Sequence, residues 1–470
     1  MIKRVFQPLD ILDEQELEQI HESSMDLLEK TGVDVLNEEA REIYQQHGAR
    51  IEGERVIIPR QLVKEAVDRA PSSFTLHARN PENTVKVGGN NSVFTPGFGS
   101  PYVTDIEQGR RESTFQDYIN FTKMAAVSDN IDVLGGVLVE MNDVPSAERH
   151  LKMIYTGAKY SDKVLMGSSL GKERTLESLE MISLLFGSDE IITDRTVAIS
   201  IVSANSPLMY DGKMAEAIIE YARHNQAAVI ASLVMSGTTG PMSIAGGLVL
   251  QNVEILAGVV LSQLVNPGAP VVYGSASTIT DMKTTNLTVG CSDYTKYIGA
   301  TAQLARYYGL PCRAGGVLTD SLMPDAQAGY ESMMILMSSM NYGINFLFHC
   351  GGLLENYMTM SYEKFIIDDE ILSMVKNCYS GLEITTDSLS KDLITKVGPG
   401  GNYIEEPHTM KYMKQLRDSR LNNRSSYNSV SELTTTAERA QRLWKSRLED
   451  YQLPELDPAI EEAMLKMMDK

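Results

Sequence analysis

From about residue 90 onward the chain repeats one pattern eight times: a short β-rich run, then a longer stretch with helical spacing. The runs are SVFTPG near 92, VLGGVLVE near 133, KVLMGSS near 163, VAISIVSANSP near 197, AAVIASLVMSG near 227, APVVYGSAS near 269, PCRAGG near 311 and INFLFHCGG near 344. Such alternation argues for parallel strands joined by crossover helices. Eight units are the number that closes a barrel, so the expected fold class is α/β, a (β/α)8 TIM barrel. An open doubly wound sheet is the alternative, although no strand ends in the dinucleotide fingerprint G-x-G-x-x-G.

Ahead of the repeat, LDEQELEQIHESSMDLLEK spaces Leu17, Ile20, Leu27 and Leu28 at helical intervals, and a second helical run begins at Leu36. RVIIPRQLVKEAVDRAP then reads as a short strand, a proline-led helix and a proline stop. The expected organisation is an N-terminal, mainly helical extension over 1–90, a catalytic barrel over 91–396, and a Gly/Pro loop with a helical tail over 397–470. The most apolar stretch, Ile244 to Val265, carries Gln251, Asn252 and Glu254. Placing that glutamate in lipid costs roughly 2 kcal/mol or more, so the stretch is expected to be a buried helix and not a membrane span.

The 470 residues carry 42 Lys and Arg against 62 Asp and Glu, a formal charge of −20 that repels polyphosphate backbones and anionic lipid. Nucleic acid and membrane surfaces are therefore excluded as expected partners. The N-terminus lacks the apolar core of a secretory signal, and Cys291, Cys312, Cys350 and Cys378 are widely spaced. A cytoplasmic location with reduced thiols is expected. Large barrels with apolar helices often associate, and a homo-oligomer is expected.

Most of the runs end in small or polar residues, such as Ser168 and Ser169, Ser203 and Asn205, and Gly315 and Gly316. In a barrel these ends gather at the face that carries the active site, although plain turn chemistry also explains a Gly pair. Arg313 ends the seventh run and His349 the eighth, on neighbouring strands. A guanidinium fork with an imidazole beside it suits a carboxylate. The structural alternative pairs Arg313 with Asp320 or Asp325. Asp325, Gln327 and Glu331 open a helix, where capping accounts for at least one acid. Cys312, His349 and Cys350 lack a zinc spacing, so no metal is expected. In FTPGFGSPYVTD, Phe98 and Tyr102 are candidate faces for a quaternary ammonium, and Phe94 is expected in the core. VGPGGNYIEEPHT, Val397 to Thr409, lacks the G-x-x-x-x-G-K-[ST] pattern of a phosphate loop.

Taken together, FTPGFGSPYVTD, GGVLTDSLMPDAQAGYES, HCGGLLEN, VGPGGNYIEEPHT and the tail RSSYNSVSELTTTAERAQ resemble the trimethylamine methyltransferase superfamily, specifically its members without pyrrolysine. The resemblance spans nearly the whole chain. It implies a (β/α)8 barrel that moves a methyl group from a quaternary amine to Co(I) of a corrinoid carried by a cognate partner protein, with no cofactor held tightly by this chain. The loop that holds pyrrolysine in the trimethylamine enzymes reads TDSLMPDAQ here, with the replaced position at or near Leu322. The implied substrates are carboxylated quaternary amines, glycine betaine first, with proline betaine, carnitine or butyrobetaine as others. The resemblance also places the substrate carboxylate on Arg313 and His349. Val397 to Thr409 is a second candidate contact for the corrinoid protein. Two other readings are a metal-dependent barrel hydrolase or lyase acting on a small carboxylate, and a betaine-sensing protein without catalysis.

Overall fold

A computed structural model describes residues 1–187, 191–427 and 433–469, so Asn428 to Glu432 of the tail segment quoted above lie outside the described residues. Each of the eight runs contains a strand: β1 Asn91–Phe94, β2 Val133–Leu134, β3 Val164–Met166, β4 Ala198–Ser203, β5 Ala227–Ser232, β6 Val271–Ser275, β7 Cys312–Arg313 and β8 Phe346–Leu347. Each is followed by a helix: α1 Phe115–Ala126, α2 Arg149–Tyr160, α3 Lys172–Leu184, α4 Gly212–Arg223, α5 Ile244–Val265, α6 Ser292–Tyr307, α7 Ala326–Tyr342 and α8 Tyr362–Tyr379. The strands pair in parallel from β2 through β8, and β8 pairs with β1. Asp132 closes the ring, its backbone N–H donating to Phe94 O at 2.8 Å and its carboxylate accepting from Phe94 N at 3.0 Å. The fold is the expected (β/α)8 barrel.

Side chains facing the axis, among them Val93, Val164, Ile199, Val229, Val272 and Phe346, form one buried cluster. Phe74, Leu76, Val85 and Val87 join it from a hairpin, Ser73–Leu76 with Val85–Gly88, which plugs the N-terminal end of the barrel. The opposite end, where the βα loops emerge, is the end at which barrels of this kind carry their sites.

The apolarity of α5 follows from its surroundings. The helices Glu14–Lys30, Glu38–Gln46 and Arg60–Arg69 pack on its outer side while β5 and β6 cover its inner side. Its polar residues are satisfied internally. Gln251 accepts from Ser275 Oγ at 2.7 Å and donates to Thr301 Oγ1 at 2.9 Å, and Asn252 joins the Tyr273 and Tyr308 hydroxyls at 2.8 and 2.9 Å. Glu254, its carboxyl pushed up by burial, accepts from Ser232, Ser206 and the backbone of Leu208. Buried polar groups cost little when paired in this way.

Candidate functional site

Register places Arg313 in the interior. Paired positions on parallel strands share a face, and the row Ser203, Ala231, Gly274, Arg313, Phe346 runs across five strands. Arg313 is 1% exposed. One Nη donates to Ser275 O at 2.6 Å, Cζ lies 5.2 Å from the Phe348 ring centroid, and Nε has no partner. Neither Asp320 nor Asp325 pairs with it. Asp320 accepts from the backbone of Val289 and Gly290, and Asp325 caps α7 by accepting from Ala328 N at 3.0 Å. Among the described residues no carboxylate forms an ion pair with this buried cation.

The turn after β7 requires glycine. Gly315 has φ +64°, and a Cβ on Gly316, at φ +141°, would lie 2.1 Å from Phe348 O. This close approach brings the end of β7 against that of β8. There His349 takes a left-handed φ of 63°, which breaks the strand alternation and turns its imidazole to within 4.7 Å of the Tyr357 ring. Burial, and then the neighbouring Arg313, hold its pKa well below the ordinary histidine value. The ring is therefore neutral, with one N–H left to donate.

Tyr357 closes a second unusual segment. Glu355, Asn356 and Tyr357 have φ of 53°, 52° and 78°, a run of left-handed residues that costs on the order of 1 kcal/mol each. It is pinned from outside, by Glu355 N to Ser321 O at 2.9 Å and by Ser100 Oγ to Tyr357 O at 2.8 Å. Among the described residues, ten buried polar side-chain atoms lack a hydrogen-bond partner, and four belong to Arg313, His349, Asn356 and Tyr357. Tyr294, from the first turn of α6, completes the group, its hydroxyl and that of Tyr357 both raised in pKa by burial. Arg313 Nε and His349 Nδ1, both without a hydrogen-bond partner and beside each other in a dry place, mark a built site.

A cavity of about 420 Å³ opens at the same end, lined by Phe98, Gly136, Ser168, Ser169, Ile201 and Ser203 among others. Phe98 connects it to the cation, meeting Phe348 edge-on at 5.3 Å. Arg313 and His349 do not themselves line this cavity.

A family model described as trimethylamine methyltransferase (MTTB) matches residues 1–470. The chain belongs to the trimethylamine methyltransferase family. It is 45% identical over 454 residues to glycine betaine methyltransferase of Desulfitobacterium hafniense (strain Y51), covering 96% of this chain and 95% of the relative. Proline betaine:corrinoid methyltransferase of Eubacterium limosum is 33% identical over 456 residues, covering 94% and 93%. Among solved structures, the Methanosarcina barkeri monomethylamine methyltransferase shares the fold, with a TM-score of 0.53 at 12% identity over 95% of this chain and 90% of that one.

In this member of the family, the sequence candidates separate. Arg313, His349 and Phe98 come together. Tyr102 does not: it lies in a small sheet with Thr359–Ser361, and the Arg110 guanidinium covers its ring at 3.6 Å. The assignment of Tyr102 as an ammonium face is therefore corrected. Leu322 is 72% exposed on the loop after β7. Gln327 donates to Glu331, whose other oxygen accepts from Thr319 Oγ1 and Asp320 N, so both brace that loop. Sequence reasoning missed Tyr294, Asn356 and Tyr357. Tyr357 and Asn356 follow the HCGG turn closely, a signal that could have found them; Tyr294 has none.

The neutral state of His349 has a thermodynamic consequence. Its unfolded form takes a proton below about pH 6.5, which the buried native form refuses, so this residue makes stability fall with decreasing pH. Between about pH 7.5 and about pH 5.5 the wild type should lose about 1 kcal/mol relative to His349→Asn. Urea denaturation of both proteins at the two pH values checks this.

Proposed function

We propose that the protein transfers a methyl group from glycine betaine to the Co(I) of a corrinoid protein and releases dimethylglycine. The observation that carries this reading is the buried, carboxylate-free guanidinium of Arg313 beside a neutral His349. Two charge-assisted hydrogen bonds from the fork and one from the imidazole would hold the substrate carboxylate. Phe98 offers a ring face to the ammonium, worth about 0.5–2 kcal/mol. Tyr294 and Tyr357 wall the site.

The reduced corrinoid of the partner would supply the nucleophile as its electron pair on cobalt, and the C–N bonding pair of the substrate would stay on nitrogen. Because that nitrogen is already quaternary, it leaves as a neutral amine and needs no general acid. This chain's residues fix the acid end of the substrate, keep water out and aim one methyl toward the mouth, a task of positioning. The mouth suits a macrocycle and its carrier. Leu170, Met242, Met282, Leu322 and Met323 all stand exposed on the loops after β3, β5, β6 and β7. Four unpaired cysteines, one of them exposed, suit a reducing cytoplasm.

A panel of glycine betaine, proline betaine, carnitine and trimethylamine, assayed anaerobically by the absorbance change as Co(I) is methylated, tests the proposal. Glycine betaine should give the highest kcat/KM. Trimethylamine turned over as well as the betaines would count against it.

A further inference from the structure

The hairpin that pairs Leu353–Leu354 with Thr359–Ser361 turns through Glu355 to Met358, and the first three of these residues are left-handed. Glycine or asparagine takes such a backbone at the least cost, and Asn356 is of that kind. Tyr357 is not. A bulky aromatic at φ 78° is an outlier that persists only where its surroundings over-determine it. Here they do: Ser100 Oγ donates to Tyr357 O at 2.8 Å, Met358 N donates to Glu355 O at 2.9 Å, and Arg110 Nε holds the Glu355 carboxylate at 2.9 Å. The turn thus brings one particular side chain to one place, its ring 4.7 Å from that of His349 and its hydroxyl oxygen buried without a hydrogen-bond partner. An unpaired buried hydroxyl is costly, and phenylalanine at this position would avoid the cost.

We propose that the Tyr357 hydroxyl is a third donor to the substrate carboxylate, beside the Arg313 fork and the His349 imidazole. The assignment rests on the reading of Arg313 and His349 as the carboxylate anchor. Tyr294 does not supply the missing partner. The two tyrosines lie near enough to shift one another's ionisation, and the charge of Arg313 reaches both. Burial keeps both phenols protonated, so each is a donor at neutral pH. Two hydroxyls carry two protons, and a bond between them would use only one. The other is left next to Arg313 Nε and His349 Nδ1, which are also without partners. Asn356 Oδ1, the unpaired acceptor of the group, bonds to none of them. A carboxylate offers about four lone-pair sites. Two bonds from the fork and one from the imidazole leave one site open, and Tyr357 fills it. The anion then recovers in full the bonds that it loses with its water, and the donor that completes the set adds no further charge.

Calorimetric titration of glycine betaine into the wild type, Tyr357→Phe and Tyr294→Phe, without a corrinoid protein, tests the assignment. Tyr357→Phe removes one oxygen and keeps the ring. Its Kd should rise roughly ten- to a hundredfold, the range for a lost hydrogen bond to a charged group. The Tm of the unliganded variant should not fall, because a hydroxyl without a partner holds nothing together. In turnover the loss should sit in KM, with kcat little changed. Tyr294→Phe leaves the donor in place and should weaken binding less. A wild type that binds glycine betaine with the same Kd as Tyr357→Phe would overturn the role of the hydroxyl and leave the anchor standing, whereas a wild type that does not bind it would overturn both. A Tm lowered in step with the weaker binding would make the hydroxyl a structural group, and a greater loss in Tyr294→Phe would make that residue the donor; either result overturns the assignment.

Discussion

Arg313→Ala is expected to lower kcat/KM for glycine betaine by roughly 10²- to 10³-fold while changing the much slower turnover of choline by less than about tenfold. The asymmetry follows from what each substrate asks of the site. A carboxylate brought against Arg313 and His349 loses its water and recovers it chiefly from the guanidinium and the imidazole. Leaving one partner of such a pair unmatched costs about 2–5 kcal/mol, and each 1.4 kcal/mol is a factor of ten. Choline has no acid group and forfeits nothing. Arg313→Lys should recover only part of the loss, because a point charge does not span both oxygens. The protein's own stability supplies an independent readout. Glycine betaine should raise the wild-type Tm through binding to the native state, and should leave that of Arg313→Ala unmoved. Equal losses on both substrates would mean that Arg313 holds the barrel and not the ligand.

How far a sequence discloses such a site depends on the range of the forces involved. The barrel was legible because β4 and β5, AISIVS and AAVIAS, are covered on both sides and therefore read as unbroken runs of small and β-branched residues. The character of α5 was legible too: a helix that apolar, yet with Glu254 inside it, belongs in protein and not in lipid. Arg313 could be placed near the site because a strand fixes alternate faces. His349 could be placed only near it. Strand alternation with Phe346 and Phe348 inward sends residue 349 outward, and a single left-handed φ reverses this. The failure of Tyr102 has the same origin. Its proximity to Phe98 in the chain was real, but a tertiary contact, Arg110 anchored by Glu355, takes the ring face. Tyr294 reaches the group by the packing of α6 against β7, which leaves no trace in its neighbours along the chain.

A second large effect lies beneath the site. Lys364 and Asp368, one turn apart on α8, form an ion pair whose side chains are fully buried. Lys364 also donates to Ser332 Oγ on α7 at 2.9 Å, and the other oxygen of Asp368 accepts from Gly352 N at 2.8 Å. Burial opposes both charges, raising Asp368 to about 6 and lowering Lys364. Asp368→Ala would strand a cation in the core, and urea denaturation should show a loss of about 3–5 kcal/mol. Replacing both, as Lys364→Met/Asp368→Leu, removes the stranded charge and should restore most of the stability. What it does not restore is the acceptor for Gly352 N, an unpaired buried donor worth about 1–3 kcal/mol. Gly352 lies between His349 and the left-handed run ending at Tyr357, so loosening it spreads the groups that face the carboxylate. The double variant should therefore show a raised KM for glycine betaine with kcat little changed, since the reacting methyl lies at the far end of the substrate. Wild-type stability and wild-type KM in the double variant would together show that the tether to Gly352 positions nothing.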